Sequence, residues 1–126
     1  MKRGDVVLIV APGDLGKPRP GVIVQADELG DGTTTIIVCP MSSEIGPTER
    51  LRPVVEPSAA NGLRLQTQIM TDKIIAMRRD RVRRIIGHLE ASARGKLDRA
   101  LLIVLGFAQR PLSSEPTSRR RRSSPR

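Results

Sequence analysis

Apolar and polar positions change rhythm once along this chain, near residue 90. Before that point short apolar runs rich in β-branched residues alternate with Gly- and Pro-containing breaks, the pattern of strands joined by turns. "DVVLIV" (5–10), "VIVQA" (22–26) and "TTTIIVCPM" (33–41) predict three strands. "APGDLGKPRPG", "DELGDG" (27–32), "SSEIGPTE" (42–49) and "SAANG" (58–62) predict loops and turns. "RLRPVVEP" (50–57) alternates, but Pro53 has no amide donor, which places it at a sheet edge. "LRLQTQIMTDKIIAM" (63–77) predicts two short extended pieces around Thr71 and Asp72. In "RRDRVRRIIGHL" (78–89), "RRD" reads as a helical turn and "RRIIGHL" as a last strand. Beyond it Ala93, Leu97, Ala100, Leu101, Val104 and Leu105 recur at steps of three and four, one face of an amphipathic helix that Gly106 ends. The fold class implied is mainly β: a small, mostly antiparallel, barrel-like sheet capped by a C-terminal helix.

Composition adds boundaries. The 126 residues suit one domain, residues 1–108, followed by a basic tail, 109–126, whose lack of periodicity predicts disorder. The formal charge of +9 is uneven: the tail carries six arginines against Glu115, or +5, and the body keeps +4. A basic body with a more basic tail calls for a polyanionic partner, nucleic acid first and an acidic protein segment second. There is no Trp or Tyr and a single Phe, Phe107, so stacking of bases on aromatic platforms is disfavoured and arginines and backbone must hold any strand. No apolar run is long enough to span a bilayer, and "MKRGDVV" is unlike a signal peptide. Cys39 is the only cysteine and His88 the only histidine, which points to the cytoplasm and away from a disulfide, a metal site or any cofactor.

The segments as ordered resemble the MazF/PemK (CcdB-like) toxin family over roughly residues 2 to 108. "KRGDVV" opens the first strand and "RPGVIVQ" the second; "TIIVCPMSS", "NGL", "QIMTDKIIAM", "IGHL" and "LGF" follow in family order. The resemblance implies an SH3-like (CcdB/MazF-like) antiparallel barrel with a C-terminal helix. It also implies a homodimer and the activity of an endoribonuclease toxin held in check by a cognate acidic antitoxin. Carried over position by position, the family's catalytic arginine is Arg19, in the Arg19-Pro20 pair, and its second active residue, usually Thr, is Ser42. The first loop, with Asp14 as its only acid, is shorter than is usual in the family.

The chemistry suits those residue types. RNA carries its own nucleophile, the 2′-hydroxyl, whose attack on the neighbouring phosphorus leaves a cyclic phosphate and a free 5′-hydroxyl. Such a reaction needs neither a metal nor a nucleophilic side chain, only in-line positioning and neutralisation of phosphoryl charge. An arginine is always protonated and donates through a planar fork matched to phosphate. Pro18 and Pro20 restrict the backbone on both sides of Arg19, lowering the entropy lost when it grips. The resemblance adds a general acid or base role for Arg19, against which stands the high pKa of a guanidinium. Ser42 supplies a hydroxyl, Lys17 is the nearest further cation, and Ser43 follows Ser42 directly. The run Arg78, Arg79, Arg81, Arg83, Arg84 is either a solvated face or a phosphate-tracking surface. Lys17, Ser43, Arg78, Arg79 and Arg81 are the expected RNA-binding residues beside the catalytic Arg19 and Ser42.

The leading expectation is therefore a sequence-specific, metal-independent endoribonuclease acting on single-stranded RNA, either mRNA or tRNA. The alternative is a non-enzymatic poison of DNA gyrase on the same fold, or a nucleic-acid-binding module that no longer cuts. The gyrase group carries a C-terminal Trp next to Gly, which this chain lacks.

Overall fold

In a computed structural model, residues 1–47 and 50–108 are described. The basic tail predicted over 109–126 lies outside the described residues, as do Thr48 and Glu49 of the predicted 42–49 loop. Among the described residues seven strands and one α-helix appear in the order β1 (Asp5–Ile9), β2 (Arg19–Ile23), β3 (Thr35–Ser42), β4 (Val54–Val55), β5 (Thr67–Ile69), β6 (Ile75–Arg78), β7 (Val82–His88) and α1 (Ala91–Val104). Short 3-10 turns sit at Asp27–Leu29, Thr71–Lys73 and Arg79–Arg81. The last two occupy the places where the sequence breaks at Thr71-Asp72 and at "RRD".

The strands form one antiparallel sheet in the order β4-β5-β3-β2-β1-β7, with β6 pairing β3 off that path. β3 is the hub. One edge takes β2 through Gly21↔Pro40, Val22↔Cys39 and Ile23↔Val38. The other edge is divided, its first half going to β6 (Thr35↔Arg78 through Val38↔Ile75) and its last two residues to β5 (Met41↔Ile69, Ser42↔Gln68). Sharing one strand between two partners that diverge is what curls the sheet.

Because side chains alternate across a strand, each strand feeds two cores. Val6, Val22, Cys39 and Met41 join Leu97 and Leu101 of α1 on one face. Val7, Ile9, Ile23, Ile36, Val38 and Met77 fill the other. Burial pushes the Cys39 thiol up to about 12, so it packs as a small apolar group.

β2 begins at Arg19, three residues earlier than its apolar run implies. Arg19 and Pro20 pair with Ile9 and Leu8, so they belong to the sheet and not to the loop before it. Pro20 sits at the strand's start, where a missing amide is tolerated, and the ladder to β3 begins only at Gly21. The edge strand predicted over 50–57 is there, but it contracts to Val54–Val55 between Pro53 and Pro57. α1 ends as read: Gly106 adopts φ +83, and its amide reaches the carbonyl of Ile103 at 3.1 Å. Leu97, Ala100 and Leu101 are buried, whereas Leu105, expected on the same face, is exposed because it lies past the last helical turn.

Candidate active site

A groove of about 970 Å³ opens at the end of the sheet where β2 begins and β3 ends. Among its lining residues are Lys17, Arg19, Ser42 and Ser43. The β2–β3 register explains the meeting of the middle two. Its last rung is Gly21↔Pro40, two residues from Arg19 on one strand and two from Ser42, the last residue of β3, on the other. Both therefore lie at the same end of the sheet and line one groove, although they are 23 positions apart in sequence.

Arg19 is not loose. Its Nε donates to Oδ2 of Asp14 at 2.8 Å and its Nη2 to Oδ1 at 2.9 Å, a two-point pairing along one edge of the guanidinium. The Asp14 side chain is 13% exposed and that of Arg19 36%. The loop brings Asp14 into place through two successive turns that share it: the Asp14 amide reaches the carbonyl of Ala11 at 3.2 Å, and the Lys17 amide that of Asp14 at 3.0 Å. Five N–H groups exist on a guanidinium and this pairing uses two, so the opposite edge stays available to a ligand.

Ser42 is prepared in a complementary way. Its Oγ accepts the amide hydrogen of Glu44 at 3.1 Å, a local turn that fixes the rotamer and leaves the hydroxyl hydrogen to donate. Lys17 and Ser43 are exposed at the groove.

Arg78, Arg79 and Arg81 do not line the groove. Arg78 pairs with Thr35, at the far end of β3 from Ser42; seven steps of a strand span roughly 23 Å. Arg78 is bonded to Asp80, its Nη2 at 2.6 Å from Oδ2. Arg79 donates to the carbonyls of Thr33 at 2.6 Å and Gly30 at 3.0 Å, stapling the turn that leads into β3. Arg81 lies beside β1, its carbonyl accepting the Val10 amide. The cations found in the groove instead are Arg64 and Arg84. Arg84 belongs to the run singled out in the sequence. Arg64 carries no sequence signal, and only the folding of its loop onto β7 reveals it.

The profile of PemK-like, MazF-like toxins of type II toxin–antitoxin systems matches residues 2–105. The chain belongs to the PemK/MazF toxin family. The toxin is 36% identical over 109 residues to a probable endoribonuclease MazF of Mycolicibacterium smegmatis, an alignment covering 86% of this chain and 99% of the relative. Its fold superposes on the Mycobacterium tuberculosis toxin MazF-mt6 with a TM-score of 0.71 at 20% identity, covering 83% of this chain and 99% of that one. A mycobacterial endoribonuclease in complex with its cognate antitoxin gives a TM-score of 0.72 at 18% identity, covering 87% and 99%. The toxin's class is thus that of MazF-like endoribonucleases, and the gyrase-poison alternative gives way to it. Among the described residues no helix is long and apolar enough to cross a membrane.

Proposed function

We propose that this endoribonuclease cuts single-stranded RNA without a metal ion, in the groove that Arg19 and Ser42 share. The observation that carries the reading is the placement of those two donors on adjacent strand ends, with one edge of Arg19 fixed by Asp14 and the other open. In the reaction the 2′-oxygen forms a bond to phosphorus while the bond from phosphorus to the 5′-oxygen breaks. The proton lost from the 2′-hydroxyl is balanced by one gained at the 5′-oxygen. Arg19 neutralises the charge that builds on the phosphoryl oxygens, and Ser42 donates to a second oxygen and sets the phosphate's orientation. Lys17 and Ser43 extend the grip along the strand. Arg78, Arg79 and Arg81 form an outlying basic patch for the trailing part of a long RNA.

The cations that line the groove, Lys17, Arg19, Arg64 and Arg84, suit the acidic segment of a cognate antitoxin, which would block the groove by occupying it. The working unit is a homodimer in the cytoplasm, supported by the exposed apolar residues Leu102, Leu105 and Phe107. Residues 109–126 add charge and hence affinity without choosing the cut site.

The test is incubation of the purified toxin with a long single-stranded RNA in EDTA. Discrete fragments bearing 2′,3′-cyclic phosphate ends are expected, with no cutting where the 2′-hydroxyl is replaced by hydrogen. Cleavage of the deoxy position, or loss of all cleavage in EDTA, overturns the mechanism.

A further inference from the structure

The groove has a second end. Gly62 lies so close to β7 that a Cβ on it would fall 2.1 Å from the carbonyl oxygen of Ile86. That approach, with the His88 amide on the carbonyl of Ala60 at 2.9 Å, sets the loop ending at Gly62 against β7. Thr67 Oγ1 then donates to the carbonyl of Leu65 at 2.8 Å, fixing the segment's course into β5. Two short sequences from distant parts of the chain therefore face the same space: Arg64-Leu65 and Arg84-Ile85. Each couples a guanidinium to an aliphatic side chain. Leu65 is 62% exposed and Ile85 51%, although both line a cleft. Among the described residues neither Arg64 nor Arg84 makes an ion pair, in contrast to Arg19, Arg52, Arg78 and Arg79.

The ladders give the spacing. Leu8 pairs with Pro20 on one side and with Arg84 on the other, so Arg84 stands two strands, roughly 10 Å, from the corner that carries Arg19. A strand of RNA held at Arg19 and running across Leu8 meets Arg84 and Arg64 next.

Resting on the reading of this groove as the RNA-cutting site, we infer that Arg64 and Arg84 with Leu65 and Ile85 form a subsite for the nucleotide flanking the cut. The two guanidiniums take the flanking phosphate. The two aliphatic side chains cover the face of the adjacent base, an interaction that every base can make and that requires no aromatic platform. It answers the absence of Trp and Tyr: where stacking on a ring is impossible, an apolar clamp between cations does the holding.

The experiment compares substrates of increasing length. Wild-type toxin is given a dinucleotide spanning only the scissile phosphate, then oligonucleotides extended by one and two nucleotides on each side. The subsite predicts that one added nucleotide, on one side only, raises kcat/KM by tenfold or more. In the Arg64→Gln/Arg84→Gln protein that gain falls below threefold. Binding of an uncleavable oligonucleotide, deoxy at the cut position, weakens, and its slope of log affinity against log salt becomes shallower by about 0.7 for each phosphate no longer neutralised. Leu65→Ala/Ile85→Ala weakens binding with the slope unaltered. All four side chains are exposed, and thermal melts confirm that each variant is folded. A length gain that persists in the double arginine variant overturns the subsite, as does a wild type indifferent to length. Wild-type toxin that cuts no RNA of any length overturns the reading of the groove itself.

Discussion

Asp14 holds Arg19 by two hydrogen bonds to one edge of its guanidinium, at 2.8 and 2.9 Å, across a loop of only four intervening residues. The pairing decides which donors face the groove. Replacing Arg19 by Ala is expected to lower cleavage at least about a hundredfold, since a preorganised donor to the phosphoryl oxygens is gone. Asp14→Ala is expected to lower kcat by roughly ten- to a hundredfold, because a misplaced donor is nearly as harmful as a missing one. In the Arg19→Ala background the Asp14 substitution should add almost nothing. Additive losses in single-turnover kinetics would show that Asp14 acts by some route other than Arg19.

Ser42→Ala should slow cleavage and Ser42→Thr should preserve it, because the hydroxyl hydrogen, not the size of the side chain, is what the site uses. The Glu44 amide already occupies one lone pair of Oγ, so a threonine there keeps the same turn. An inactive Ser42→Thr protein with an unchanged melting temperature would remove the hydroxyl from the mechanism.

The sequence made most of this framework readable, and the reasons differ by element. Alternating β-branched runs announced β1, β2 and β3, and the change of period announced α1, because each of those elements buries one regular face. The start of β2 was obscured by Pro18 and Pro20, which look like loop punctuation yet here lead into a strand at Arg19. The groove's far wall was invisible for another reason. Arg64 and Arg84 are 20 residues apart, and no periodicity relates them. They line one groove because Gly62, with no side chain, lets its loop lie against Ile86. Within the arginine run, composition could not tell Arg84 from Arg78 and Arg79. The register did, by setting Arg84 across from Leu8 and Arg78 across from Thr35.

Gly62→Ala is expected to be among the most damaging single changes to the fold. Gly62 has φ +71, where an L-residue is strained, and the added methyl would meet backbone of β7 that has little freedom to retreat. The two effects together amount to about 2–4 kcal/mol. Urea denaturation should show the destabilisation. A variant as stable as wild type would mean that the loop rests only loosely on β7.

Arg52 and Asp72 supply a pH test of the fold distant from catalysis. The Arg52 guanidinium donates to both carboxylate oxygens of Asp72 at 2.8 Å, and this bonding holds the carboxyl below the usual Asp range. A carboxyl depressed in the folded state favours folding above its unfolded pKa, near 3.9, and that benefit disappears as pH falls through the folded value. The Asp72 side chain is 46% exposed, so screening keeps the contribution under about 1 kcal/mol. Arg52→Gln should therefore lower stability by a small, constant amount above about pH 5, and the two unfolding curves should converge below pH 4. A difference that persists undiminished at pH 2 would assign it to packing.

The divided edge of β3 has a consequence for the order in which the molecule comes into being. Translation delivers Arg19 and Ser42 within the first third of the chain, but β3 then waits for partners made from residues 67–78, and β1 waits for residues 82–88. Leu97 and Leu101, which seal one of the two cores, follow later still. A nascent chain on the ribosome thus holds Arg19 and Ser42 on an unfinished sheet, with neither the Arg84 wall nor the helix behind it. The groove is therefore closed by the last strand to be made, and the wall across from Arg19 and Ser42 forms only when the chain is nearly complete.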